Sequence, residues 1–376
     1  MNWYIVYGYI LAVSLGLSLL LTALARRYAI QWNVLDAPGE RKMHHTPIPL
    51  MGGVAIFLAF YFIIGAHLLI LQVFPLTEWG FEWIGPHILG FLGGDVTAKL
   101  LGIILGGVII FALGLADDIL HLTPGLKLVG QIVAASVIVG FGIRVELFIP
   151  SPLLTTALTV LWVVTMVNAM NFLDNMDGLA GGVSVIAALS FFLCAAAQGH
   201  TFIAVLLMVF AGAAGGFLYY NLPPARIFMG DAGSMFCGYV LATAPILATF
   251  YTPGAGGSRI AVAAPLVALS VPLFDIVTVV YIRWRNGESI MKGDKRHFSH
   301  RLVELGMTPR QAVEFIFLVA GICGLGAALL PQVALTGTLI ILAQVAGIYL
   351  LIVLLMNANA KGQAISNGQK ETKETS

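Results

Sequence analysis

Long apolar runs separated by short polar segments make up nearly the whole chain. A helix crossing the roughly 30 Å of a bilayer's hydrocarbon core needs about 20 such residues. By that measure the pattern predicts eleven spans, near 3–25, 53–74, 99–116, 126–143, 153–170, 179–197, 201–219, 235–252, 260–282, 311–330 and 334–356. The expected fold is an all-α polytopic membrane protein. Residues 1–358 form one domain, with no internal repeat, and 359–376 form a polar tail expected to be disordered. The first run, Tyr4 to Ala25, has no basic residue before it and Arg26 and Arg27 after it. That order predicts a retained span rather than a cleaved leader.

Charge gives the spans a direction. With eleven spans, sixteen of the nineteen Lys and Arg residues fall on one side, and only Lys99, Arg144 and Arg259 on the other. Basic residues favour the cytoplasm, so the N-terminus is expected outside and the C-terminus inside. Loops 26–52, 117–125, 171–178, 220–234 and 283–310 then face the cytoplasm, and with them five of the eight histidines: His44, His45, His121, His297 and His300. The chemistry is expected at that face of the membrane.

Composition removes the soluble alternatives. The chain of 376 residues is 59% hydrophobic and 10% charged, against about 25% charged in ordinary soluble domains. A formal net charge of +1 decides nothing about nucleic acid, and no nucleic-acid partner is expected. Cys194, Cys237 and Cys323 have neither disulfide nor metal-ligand spacing and are expected to be packing residues.

Five aspartates stand out because carboxylates at membrane depth are costly. Asp117 and Asp118 end the third span in GLADDIL, where the helix dipole disfavours negative charge, so the adjacent carboxylates are expected either to raise one pKa or to hold a cation between or beside them. Asn168, Asn171, Asp174 and Asp177 recur every third residue in NAMNFLDNMDGLAGG, a polar stripe suited to a base edge, a ribose or a metal. In FMGDAGSM, glycines flank Asp231, Ser234 is placed to cap the next helix, and Phe228 offers an aromatic platform. His297, His300 and Arg301, following Lys292, Lys295 and Arg296, suit a diphosphate. Arg41, Lys42 and His44 precede a Pro-Ile-Pro turn and are placed to steer an anionic headgroup. Asp275 lies within span nine, roughly two helical turns from its cytoplasmic end, and is expected to pair with a basic loop residue or to position substrate.

RKMHHTPIPLMGG, GLADDIL, NAMNFLDNMDGLAGG, FMGDAGSM and HFSHRL, in that order, resemble the polyprenyl-phosphate N-acetylhexosamine-1-phosphate transferases, a family related to phospho-MurNAc-pentapeptide translocase. The resemblance covers nearly the whole chain. It implies transfer of a sugar 1-phosphate, GlcNAc-1-phosphate in the branch that fits best, from a UDP-N-acetylhexosamine to undecaprenyl phosphate. UMP is released, Mg²⁺ or Mn²⁺ is the cofactor, and the product enters cell-envelope glycans such as teichoic acid or lipopolysaccharide. A homodimer is compatible with it. Carried over to matching positions, Asp231 and Asp118 hold the metal, and Asp117 lies at the lipid phosphate as a candidate base. Lys127, Asn171, Asp174, Asp177 and Phe228 bind the nucleotide, and His297, His300 and Arg301 the diphosphate or sugar. Arg41, Lys42 and His44 serve the lipid phosphate. Ser299 stands where many relatives have another histidine, which leaves the sugar open. A transporter would place its polar residues at the bilayer midplane on broken repeats. An intramembrane aspartyl protease would need a second aspartate beside Asp231, and the sequence pattern offers none at matching depth.

Overall fold

The computed structural model describes residues 3–36, 46–73, 94–145, 149–248, 259–289 and 296–374. Thirteen α-helices account for most of them. In chain order these are α1 (Trp3–Gln31), α2 (Gly52–Val73), α3 (Gly94–Leu120), α4 (Pro124–Gly140), α5 (Pro152–Leu173), α6 (Leu179–Ala197) and α7 (Thr201–Asn221). They continue with α8 (Gly230–Leu247), α9 (Ala264–Ala268), α10 (Ser270–Arg285), α11 (Phe298–Glu304), α12 (Pro309–Leu329) and α13 (Leu335–Glu374). A two-residue antiparallel ribbon, β1 (Leu35–Asp36) with β2 (Ile48–Pro49), joins α1 to α2. The last helix continues past its apolar stretch over the polar residues from Lys361 onward.

Eight of these helices are long and apolar enough to cross a membrane, and the bent pair Ile260–Ala268 and Ser270–Arg285 makes a ninth when taken as one span. The protein is a multi-pass, all-α membrane protein. The remaining two predicted spans correspond to α4, which is short at 17 residues, and α8. The stretch expected as one span near 260–282 is bent by 75° between α9 and α10. Proline explains the break. Pro272 in the first turn of α10 has no N–H to continue the ladder back into α9.

Helix starts follow local chemistry. Pro124, Pro152 and Pro309 each open a helix, where a missing N–H costs nothing. Ser151 Oγ accepts from Leu154 N–H, and Thr308 forms a capping box with Gln311. In the interior, α8 is buried on every side from Ala232 to Pro245, which explains why so much of it is glycine and alanine. Phe236 and Tyr239 of α8 pack with Phe57, Phe60 and Tyr61 of α2, and the Tyr239 hydroxyl donates to the Ile103 carbonyl at 3.0 Å. Large apolar side chains such as Leu153, Leu161, Leu350 and Leu354 cover the outside, as expected where the solvent is lipid.

The start of α2 touches the start of α8 through backbone alone. A Cβ on Gly53 would overlap the Gly233 amide, and one on Gly233 would lie 2.6 Å from Gly53 Cα. Gly53→Ala is therefore expected to destabilise by at least the 1–3 kcal/mol typical of overpacking, about, because backbone rather than a side-chain tip must yield. Gly65→Ala, with open space at its Cβ, is expected to leave stability unchanged. Thermal denaturation in detergent of the two variants checks this.

Candidate active site

Four helix ends meet at one point: the C-termini of α3 and α5 and the N-termini of α4 and α8. The start of α8 lacks a side-chain cap of its own. Asp118, from the last turn of α3, supplies one. Its Oδ1 accepts from Asp231 N–H at 2.8 Å and its Oδ2 from Ala232 N–H at 3.1 Å. A carboxylate that the C-terminus of α3 disfavours is thereby placed at a helix N-terminus that favours it. Gly230, with φ +73°, makes room: a Cβ there would lie 2.7 Å from Asp118 Oδ2. Ser234 was expected to cap this helix and does not. It lies inside the first turns, buried, and accepts from Asn171 Nδ2 at 3.0 Å, because Asp118 already holds the free amides. The helix also begins earlier than expected, with Asp231 in its first turn rather than in the loop before it.

Lys127, in the first turn of α4, supplies the cation expected beside the aspartate pair. Its ammonium bridges Asp117 and Asp231, at 2.9 Å from the latter. Asp117 Oδ1 also accepts from Leu122 N–H at 2.8 Å. Asn171, in the last turn of α5, donates to Asp231 Oδ1 at 2.9 Å. Asp231 is thus held by two donors from two helices. Asp117 and Asp231 do come together, contrary to the reading that no aspartate partner exists, and they meet each other directly as well as through the Lys127 ammonium.

The three-residue stripe divides at the end of α5. Asn168 pairs with Gln131 of α4 in a reciprocal amide contact, Asn171 serves Asp231, and Asp174 and Asp177 lie in the following turn. Burial, and then the charges of Asp231, Asp118 and Asp177, push the Asp174 carboxyl up to about 8. One oxygen of Asp177 accepts from Ala225 N–H at 2.8 Å. Asn221, which the sequence reading missed, ties the same turn down: it accepts from Gly178 N–H and donates to the Ile227 carbonyl. A polar residue ending an otherwise apolar helix was the signal for it. The backbone of Phe228 pairs with the first loop, donating to Pro49 O at 2.8 Å and accepting from Gly52 N–H at 2.9 Å. Its ring is partly exposed. Arg41, Lys42 and His44 lie outside the described residues.

The histidine segment forms α11. Asp275, fully buried in α10, accepts from His297 Nδ1 at 2.8 Å and from Phe298 N–H at 2.6 Å. It therefore pairs with a basic-loop residue, one of the two expectations. Ser299 Oγ donates to Asn175 Oδ1 at 2.6 Å, joining α11 to the Asp174 turn. Arg301 donates to Thr278 Oγ1 at 2.8 Å, and its buried Nε has no hydrogen-bond partner among the described residues. His300 lies 6.4 Å from His297, ring to ring. Arg283, also missed, is buried over the ring of Phe172, which meets His297 edge-on at 5.8 Å.

Among the described residues no three His, Cys, Asp or Glu side chains are set as a ready metal cage. The donor set nonetheless suits a hard divalent cation. The groups there that could ligate a metal are the oxygens of Asp117, Asp118, Asp231 and Asn171, and burial, with the charges of Asp231, Asp118 and Asp177, raises the nearby Asp174 carboxyl. Mg²⁺ commonly takes one or two carboxylates and completes its shell with water and phosphate.

Residues 100–249 match glycosyl transferase family 4. The chain is 32% identical over 341 residues to the probable undecaprenyl-phosphate N-acetylglucosaminyl 1-phosphate transferase of Bacillus subtilis, covering 88% of this chain and 86% of the relative. It is 36% identical over 338 residues to the decaprenyl-phosphate N-acetylglucosaminephosphotransferase of Mycobacterium tuberculosis, covering 82% and 78%. A Salmonella typhi undecaprenyl-phosphate alpha-N-acetylglucosaminyl 1-phosphate transferase is 29% identical over 312 residues, covering 80% and 77%. The chain belongs to the polyprenyl-phosphate N-acetylhexosamine-1-phosphate transferase family that its motifs resemble.

The Asp174 carboxyl gives a test by pH. Its folded value lies above the ordinary carboxylate value of about 4, so the fold favours the protonated form. That contribution is complete below pH ~4 and is lost as pH rises through about 8. Without divalent cations, Asp174→Asn is expected to melt close to wild type at pH 5 and several degrees above it at pH 9. A melting difference that does not change with pH would contradict the assignment.

Proposed function

We propose that the protein transfers GlcNAc-1-phosphate from UDP-GlcNAc to undecaprenyl phosphate, releasing UMP, as the first membrane step of a bacterial cell-envelope glycan. The observation that carries this reading is the meeting of Asp117, Asp118, Lys127, Asn171 and Asp231 at four helix ends, with the Asp174 turn bonded to the histidine segment beside it. Relatives named for GlcNAc-1-phosphate transfer to undecaprenyl and decaprenyl phosphate support the choice of sugar and lipid. The working orientation has eleven passes with the site facing the cytoplasm, in the plasma membrane, as the distribution of Lys and Arg favours.

In the proposed reaction an oxygen of the lipid phosphate attacks the β-phosphorus of UDP-GlcNAc, and the bond to the bridging oxygen breaks to release UMP. The acceptor phosphate is largely ionised at neutral pH, its second pKa being about 6. Asp117, already held by Lys127 and Leu122 N–H, therefore has little proton to remove and is better read as placing Lys127. Asp231 and Asp118 would hold Mg²⁺, since each carboxylate oxygen of Asp118 keeps a second acceptor site. When bound, the ion supplies charge neutralisation and in-line orientation of the phosphates. Lys127 offers a movable positive charge for the phosphate oxygens. The Asp174 turn and the Phe228 ring provide acceptors and an apolar face for the uridine. His297, His300 and Arg301 take the sugar diphosphate, and Arg41, Lys42 and His44 steer the lipid headgroup.

Purified protein with undecaprenyl phosphate, Mg²⁺ and labelled UDP-GlcNAc is expected to yield UMP and a lipid-linked sugar. Asp231→Asn is expected to lower the rate by at least about 10²-fold, the cost of losing one main electrostatic group. Release of no UMP from any UDP-N-acetylhexosamine would sink the proposal. For orientation, a cysteine introduced in loop 283–310 is expected to resist an impermeant thiol reagent added outside intact cells. Labelling from outside would reverse the topology.

A further inference from the structure

We propose that Asp275 is a positioning residue for this reaction, fixing His297 in the tautomer that carries its proton on Nδ1 so that Nε2 alone can meet the sugar diphosphate. The inference rests on the reading of His297 as a group that contacts substrate.

A carboxylate with no exposure, inside an apolar helix, is retained against a large desolvation cost and needs donors to stay there. Asp275 is held by two consecutive residues, the ring of His297 on one oxygen and the amide of Phe298 on the other. Such a grip fixes the direction of the ring as well as its distance. The rest of α11 is held independently. Ser299 bonds Asn175, Arg301 bonds Thr278, and Phe172 closes one side of the ring. Capping of α11 alone would require only the Phe298 contact, since α11 has no side-chain cap of its own. The second contact, to Nδ1, is what assigns the tautomer. An unprotonated carboxylate can only accept, so Nδ1 carries hydrogen and Nε2 is left to accept, or, once protonated, to donate to a phosphate oxygen. An oriented second group behind a functional histidine is a recurrent device, because a wrong tautomer removes the function while leaving the fold.

The geometry also dictates what Asp275→Asn does. The Phe298 amide is always a donor, so the asparagine oxygen must face it. The amide NH₂ then faces the ring, and Nδ1 must become the acceptor. The substitution is nearly isosteric yet inverts the tautomer.

Nitrogen NMR of ¹⁵N-histidine-labelled protein in detergent, with the His297 signal assigned by its loss in His297→Gln, reads this directly. Wild type is expected to show Nδ1–H and Asp275→Asn to show Nε2–H. In the transfer assay Asp275→Asn is expected to lower kcat by about 10²-fold, within the range for a misplaced acid–base group, with KM for UDP-GlcNAc changed less than about threefold. Asp275→Glu is expected to recover part of the loss. The double variant Asp275→Asn/His297→Gln is expected to be no slower than His297→Gln alone. Nε2–H in wild type, an unchanged tautomer in Asp275→Asn, or losses that multiply in the double variant would each overturn the inference. A wild-type protein that releases no UMP counts against the transfer reaction instead, and the tautomer measurement still decides the role of Asp275.

Discussion

The carboxylate of Asp118 on the free amides of α8 is the interaction on which the site depends. The helix it caps is buried from Ala232 to Pro245, and its own N-cap residue, Met229, offers its first turn no side-chain acceptor. Removing Asp118 would leave two amides and a helix dipole unanswered at the point where four helix ends meet. The close approach of Gly53 to Gly233 and the left-handed backbone of Gly230 follow from the same need. They bring the first loop and α3 near enough for the cap to reach.

That solution concentrates negative charge, and the rest of the site responds to it. Lys127 compensates Asp117 and Asp231, and Asn171 supplies a neutral donor where a second ammonium would not fit. Asp174 is buried beside Asp231, Asp118 and Asp177, and desolvation first and their charges second push its carboxyl up. A site so rich in carboxylates is suited to a divalent cation that would arrive with the substrate. Stability of the resting protein and affinity for such a cation are therefore set against each other at Asp174.

Much of this was legible in the sequence, for different reasons in different places. Long apolar runs announce themselves, and the eight helices long enough to cross alone coincide with expected spans. The polar residues that converge were recognisable because charge is rare in such a chain. The bend at Ser270 was not, since an isolated proline in a membrane helix is compatible with a straight span until its neighbours are known. Asn221 was missed because it sits singly at the end of an apolar run, and Arg283 because, with Arg285 beside it, it reads as part of the basic flank of a span. Ser234 was misread because a cap reads as a local matter, whereas here it comes from a residue 113 positions away. The histidine segment was visible, but its partnership with Asp275 crosses 22 positions and depends on the bend that the sequence did not announce.

That dependence links the bend to the chemistry. A straight helix through 260–285 would carry Asp275 along the bundle axis, committed to neighbours on the same span. Broken at Pro272, α10 turns away from α9 by 75°, and the face bearing Asp275 and Thr278 meets α11 instead. One helix face then holds both His297 and Arg301, while Ser299 between them reaches the Asp174 turn through Asn175. Two groups of opposite charge, each unfavourable alone at this depth, are thus held at fixed distance by rigid elements rather than by loops. On the proposed function, a substrate that met both would be oriented mainly by the fold, and the flexible side chains would have little left to arrange.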